Sequence, residues 1–312
     1  MIETVVSAAL PAGGHLKIVK NVLGPAGCTG EEKRVCIVTG THGDELEGQY
    51  VCYELNRRLQ EHPECLKGIL ELYPALNPMG VDSVTRGIPG FDLDMNRIFP
   101  GEEEESVAEH AAHAIVEDIK GADLCIDIHA SNIFLREIPQ VRVSSETAEG
   151  LLPLARELNV DMVWISEAAT VLESTLAFSL NRAGVPTLVV EMGVGMRITQ
   201  SCGCQVVDGI FALLKYMGIW TGDAISPRAP LVSRDREVAV VHGSRPGIFL
   251  PAACHWDKVE KGELLGRIVN PLCGSVEEEV FASIDGRLFT LREYPVVAAG
   301  SLLARILGGD ES

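Results

Sequence analysis

No apolar run in the 312 residues approaches the ~18 needed to cross a bilayer as a helix. Basic residues are also scarce, with 26 Lys and Arg against 44 Asp and Glu and a formal net charge of −18. Nucleic-acid binders normally present a basic face, so this balance argues against that class. The opening stretch, MIETVVSAALPAGGHLK, lacks a basic segment followed by an apolar core, and a cytoplasmic protein is expected. Long-period repeats and low-complexity segments are missing too. The nine cysteines form no regular framework of pairs. Cys36, Cys52 and Cys125 lie in apolar contexts that suit buried, reduced thiols. Cys202 and Cys204, in SCGCQ, form one Cys-x-Cys pair with no second pair beside it.

What is present is enough for a full core. Hydrophobic residues make up 46% of the chain, and its length suits two domains. From residue 15 to about 220, strand patterns alternate with helical ones. HLKIV and RVCIVTG read as strands, and ELEGQYVCYELNRRLQ follows with helical apolar spacing. GILELYPAL is a strand, ESVAEHAAHAIVEDIKGA a helix closed by Gly121, and DLCIDIHAS a strand. TAEGLLPLARELN, TLAFSLNRAG and QVVDGIFALLKYMG read as helices, with the strands DMVWIS and VPTLVVEMG between them. VPTLVVEMG is so uniformly apolar that burial on both faces is expected. The alternation predicts an α/β domain over 1–225 with a largely parallel sheet flanked by helices. After SPRAP, short apolar runs separated by glycine turns replace the helical periods, which predicts a small all-β, barrel-like domain over 226–312.

One stretch stands apart. In IVTGTHGDELEG a buried strand ends, and His42 and Glu45 follow three residues apart. Placed on the first turn of a helix, the two side chains converge, and neutral imidazole and carboxylate both suit zinc. His129 ends the strand DLCIDIH and reaches the same sheet edge if the two strands are neighbours. Asp127, two residues earlier, shares its face and suits the role of an acceptor that orients an imidazole. Glu191 closes the apolar strand PTLVVEMG, a costly place for a carboxylate unless it is used or paired. VTRGIPGFDLDMNRIFPG gathers Arg86, Asp92, Asp94, Asn96 and Arg97 among apolar residues. Arginines beside a metal can grip a carboxylate or stabilise an oxyanion. His110 and His113 lie on an alanine-rich acidic helix that reads as a solvated face.

GTHGDE, DLDMNRIFPG, DIHAS and VVEMG occur here in the order found in the succinylglutamate desuccinylase/aspartoacylase family, which the chain resembles over most of residues 30–200. That family belongs to the wider zinc carboxypeptidase-like fold. The resemblance implies a mixed sheet between helices, one Zn²⁺ per chain, and hydrolysis of a small N-acyl amino acid; the small β domain after 225 also fits, and a structural cap on the cleft is its expected use. By position it implies His42, Glu45 and His129 as metal ligands and Glu191 as the base. Asn96 and Arg97 match the pair that binds the substrate carboxylate, and Arg86 resembles the arginine that polarises the scissile carbonyl. The acyl-aspartate branch has a further arginine shortly before the catalytic Glu. Arg182 does not fall in that register, and Arg197 is the other candidate. The turns in VEKGELLGRI and SIDGRLF resemble those of lipoyl- and biotinyl-carrier barrels, but ASIDGRLF has no lysine to modify.

The expectation is therefore a zinc-dependent deacylase acting on a small N-acylated substrate with a carboxylate, with no nucleic-acid or membrane partner. A homo-oligomer is considered without any interface signal. The rival readings are a metallocarboxypeptidase or amidase on short peptides, and a non-catalytic binding module.

Overall fold

The computed structural model describes residues 1–25, 27–167 and 173–308; residues 309–312 of the expected β domain lie outside them. The elements run β1 (Ile2–Ala9), β2 (His15–Leu23), β3 (Arg34–Thr39), α1 (Glu47–Glu61), β4 (Ile69–Tyr73), α2 (Pro78–Ser83), α3 (Val107–Ile119), β5 (Leu124–Ala130), β6 (Leu135–Ser144), α4 (Ala148–Glu157), β7 (Met162–Ser166), α5 (Leu176–Arg182), β8 (Thr187–Gly193) and α6 (Gln200–Tyr216). Thereafter the described residues form only strands and one short 3-10 turn: β9 (Leu231–Arg234), β10 (Val238–His242), β11 (Gly247–Pro251), β12 (Lys258–Val259), β13 (Leu264–Asn270), β14 (Ser275–Phe281), β15 (Gly286–Arg292), β16 (Val296–Val297) and β17 (Leu302–Leu307).

The alternation of strand and helix produces a mixed α/β architecture. One sheet runs β1-β2-β4-β3-β5-β8-β6-β15-β17-β10, with β7, β9 and β12 paired at its sides. The centre, β4-β3-β5-β8, is parallel, whereas β2 and β6 join antiparallel. Strand alternation divides the central residues between two cores. Val35 and Ile37 face a cluster with Val51 and Leu55 of α1 and Val206 and Ile210 of α6. Cys36 and Val38 face the opposite cluster, with Ala112 and Ile115 of α3 and Leu180 of α5. Burial on both faces explains why these strands read as unbroken apolar runs. In β8 the burial is one-sided at two positions, because Val189 and Glu191 open onto a cavity.

The sequence reading assigned no element to β1 or β6. Strand β6 carries Arg136, Glu137, Gln140 and Arg142 around Pro139, a composition that resembles a loop. Its register against β8 shifts between Glu137 and Gln140, and a bulge is where a sheet tolerates proline. On its other side β6 pairs with β15, so the strands after residue 226 continue the same sheet. A separate four-stranded sheet, β14-β13-β11-β16, packs Phe249, Leu265 and Ile268 against Leu288 of β15 and Leu303 and Ile306 of β17 in one shared core.

Candidate active site

Strands β3, β5, β8 and β6 are consecutive neighbours, and their site residues therefore collect at one sheet edge. Helix α1 starts at Glu47, two residues later than its apolar spacing suggests. His42 and Glu45 accordingly stand in the tight turn before the helix and not on its first turn. The Glu45 backbone N–H donates to the His42 carbonyl at 3.3 Å, which fixes that turn. Gly43 lies against the backbone of α2, where a Cβ would come within 1.9 Å of the Gly80 carbonyl carbon.

His42, Glu45 and His129 are all buried, and one ligand atom from each falls within 4.8 Å of the others. Glu45 bridges the two rings: Oε1 lies 2.8 Å from His42 Nδ1 and Oε2 lies 2.9 Å from His129 Nδ1. The His42–Glu45 approach lacks hydrogen-bond geometry, and Nδ1 is left without a bonded partner. Each imidazole has an aspartate at its far nitrogen, with Asp94 3.0 Å from His42 Nε2 and Asp127 3.2 Å from His129 Nε2. Carboxylates behind histidines in this way are typical of metal ligands.

The electrostatics of the cluster call for a cation. Burial alone would lower His42, but Asp94 and Glu45 outweigh it and hold the imidazole above its ordinary value. Burial likewise opposes charge on His129, yet Asp127 and Glu45 raise it well above the usual range. Glu45 resists its own burial through both histidines and stays well below the usual carboxylate range. A buried, converging His/Glu/His set with acidic support fits a divalent metal ion such as zinc.

A cavity of about 850 Å³ opens from this cluster. Arg86, Asn96, Arg97, Glu191 and Arg182 all line it, whereas Arg197 does not and pairs with Glu293. Arg86 donates to Glu45 at 3.1 Å and to Asp94 at 3.3 Å. Asn96 Oδ1 accepts from the Leu176 N–H at 3.0 Å, which leaves the amide NH₂ to donate. Glu191 stands in register with His129 on the adjacent strand and is 16% exposed. Burial pushes its carboxyl above the ordinary range, while Arg142 and His129 pull the other way.

The succinylglutamate desuccinylase/aspartoacylase catalytic-domain model matches residues 31–217, well over half of the chain. The chain belongs to this family. The family is one of deacylases. A relative from Halomonas elongata, N-alpha-acetyl-L-2,4-diaminobutyric acid deacetylase, is 25% identical over 288 residues, covering 89% of this chain and 82% of its own. A succinylglutamate desuccinylase/aspartoacylase from Rhodobacter sphaeroides superposes with a TM-score of 0.82 at 24% identity, over 99% of this chain and 96% of that one. The product-bound ectoine utilization protein EutE of Ruegeria pomeroyi gives 0.83 at 19%, over 99% and 95%. At these identities the two structures establish the fold. No helix among the described residues is long and apolar enough to cross a membrane.

Several lining residues escaped the sequence reading, two ionic ones on β6 among them. Glu137 and Arg142 lie on β6, and Arg142 donates to Glu191 at 3.2 Å. The alternation of ionic and apolar residues in LREIPQVRV is the signal that could have found them. Cys202 and Cys204 lie on α6, outside the cavity, and all nine cysteines are free.

Proposed function

We propose that this protein is a zinc-dependent deacylase that hydrolyses the amide bond of a small N-acyl amino acid. The observation that carries the reading is the convergence of His42, Glu45 and His129 at one end of a cavity that also holds Glu191. His42, Glu45 and His129 would hold one zinc ion, which when bound supplies Lewis-acid activation of water and of the acyl carbonyl. Glu191 takes the proton from the attacking water and returns it to the departing amine. Its raised affinity for protons suits a base that must later act as an acid. Arg86 donates to the carbonyl oxygen as negative charge develops there. Arg97 and the Asn96 amide grip the substrate carboxylate, which orients the bond for attack.

A cavity of about 850 Å³ lies within the roughly 300–1,000 Å³ common for small-molecule sites. The Halomonas relative is named for removing acetyl from an amino acid, which supports the same substrate class here. We read residues 1–225 as the catalytic unit and 226–312 as the β unit that closes the cleft. Nine free thiols suit a reducing, cytoplasmic setting.

Metal content by mass spectrometry, wild type beside His129→Ala, tests the centre, and turnover of N-acyl amino acids by Glu191→Gln tests the base. About one zinc per chain, lost in His129→Ala, and a Glu191→Gln variant that keeps zinc but not turnover, are expected. No stoichiometric metal in the wild type would point to a binding module, and near-normal turnover by Glu191→Gln would remove it as base.

A further inference from the structure

Glu137 is one of the most thoroughly enclosed carboxylates in the fold, at 1% exposure, although it is not among the candidate metal ligands. Four donors converge on it. Gln140 Nε2 reaches Oε2 at 2.9 Å, and the Thr290 hydroxyl reaches the same oxygen at 2.6 Å. Arg305 donates to Oε1 at 2.8 Å and Arg142 at 3.3 Å. Arg142 then uses its other terminal nitrogen on Glu191 at 3.2 Å. The result is a run of alternating charge, Glu191–Arg142–Glu137–Arg305. It begins at the candidate base and ends on β17, with Thr290 contributing from β15. Trp164 flanks both guanidinium groups, at 5.2 Å from Arg142 and 5.6 Å from Arg305, and its indole N–H is fixed by Asp235 at 2.7 Å.

An arginine side chain carries ~2 kcal/mol of rotamer entropy and rarely holds one pose unless packed and bonded. Arg142 is held by a ring on one side and by a buried carboxylate on another. That carboxylate is in turn fixed by residues from β15 and β17. A base works only if its carboxylate is kept within ~0.5 Å of the productive position. The geometry points to Arg142 as a positioning residue that holds the Glu191 carboxylate, with Glu137, Thr290 and Arg305 anchoring it from the C-terminal strands. This inference rests on the reading of Glu191 as the base. It gives the strands after residue 226 a share in the chemistry beyond closing the cleft.

The test is steady-state kinetics on the zinc-loaded enzyme for Arg142→Met, Arg142→Lys, Thr290→Val and the Arg142→Met/Thr290→Val double variant, with Glu191→Gln as reference. Losing an outer support of this kind typically costs ~10–100-fold. Arg142→Met is expected to lose that much in kcat, with KM within about threefold and zinc content unchanged. Arg142→Lys, which keeps the charge but not the fork, should recover part of the loss and folds with its charges still balanced. Thr290→Val, whose side chain is buried behind Glu137, should lower kcat several-fold, and in the double variant the two losses should not multiply. A normal kcat in Arg142→Met overturns the inference. So does a raised KM with intact kcat, which would make Arg142 a substrate contact. Losses that multiply in the double variant would remove the C-terminal anchor. Normal turnover in Glu191→Gln would instead sink the underlying reading, whatever the Arg142 variants do.

Discussion

Replacing Gly43 by alanine should dismantle the candidate metal centre without touching a ligand. A Cβ at this position would lie 1.9 Å from the Gly80 carbonyl carbon, 2.2 Å from its oxygen and 2.4 Å from the Val81 nitrogen. Carbon atoms rest at roughly 3.5–4.0 Å, so the turn or α2 must give by about 1.5 Å. The obstacle is backbone and cannot rotate away. Helix α2 is itself tied down, since Asn77 caps it through the Gly80 N–H at 2.9 Å. The turn carrying His42 and Glu45 is the other party that can move, yet metal ligands tolerate only about ±0.2 Å. Overpacking costs about 1–3 kcal/mol in ordinary cores and more against fixed backbone. At about 2–3 °C per kcal/mol for a chain of this size, we expect a midpoint lowered by about 5–10 °C. Zinc should fall well below one per chain. Thermal denaturation followed by circular dichroism, with metal analysis on the same sample, reads both. A Gly43→Ala protein that keeps its midpoint within a degree and its full zinc complement would refute the steric argument.

Other perturbations test separate parts of the molecule. Lys20 is buried between Glu71 and Asp118, each 2.9 Å away, and Arg34 and Tyr73 also bond Glu71. Lys20→Met should cost about 3 kcal/mol in a denaturant titration, at the low end for a broken buried pair because those two partners remain. Burial alone would raise Glu71, but Lys20, Tyr73 and Arg34 hold it below its ordinary 4.5. Its contribution is therefore present above pH 4.5 and lost as pH falls through the folded value. The gap between wild type and Lys20→Met should be widest near neutrality and shrink below about pH 4.5; a constant gap would contradict this. Asp94→Asn, which weakens the acceptor behind His42, should cost ~10–100-fold in zinc affinity by chelator competition. Arg97→Met should raise KM for an N-acyl amino acid with kcat little changed, and the opposite pattern would assign Arg97 to the chemical step.

The residues of the candidate site were legible because their chemistry is unusual where they stand. A His and a Glu after an apolar strand, a strand-terminal His and a carboxylate ending a buried strand are each expensive placements. The α/β class was legible for a similar reason: double-sided burial leaves unbroken apolar runs that alternate with helical periods. The start of α1 was less legible. Glu45 and Leu46 continue the helical apolar spacing, but their backbone turns before the helix begins, and only the turn brings Glu45 between the two imidazoles.

Strand β6 marks the limit of what one sequence discloses. It gave no strand signal, because a strand that lines a polar cavity on one face and crosses a bulge at Pro139 has neither clean alternation nor an apolar run. Its place between β8 and β15 depends on pairings with residues far along the chain, Val141 with Val190 and Glu137 with Thr290, which no local pattern encodes. The sequence alone determined which side chains can carry the chemistry, since donor type and spacing are local properties. Only the tertiary structure decided that Glu45 bridges two rings, that α2 leaves no room at Gly43, and that Glu191 is bonded to Arg142. Those are contacts between segments distant in the chain, set by the packing of the sheet.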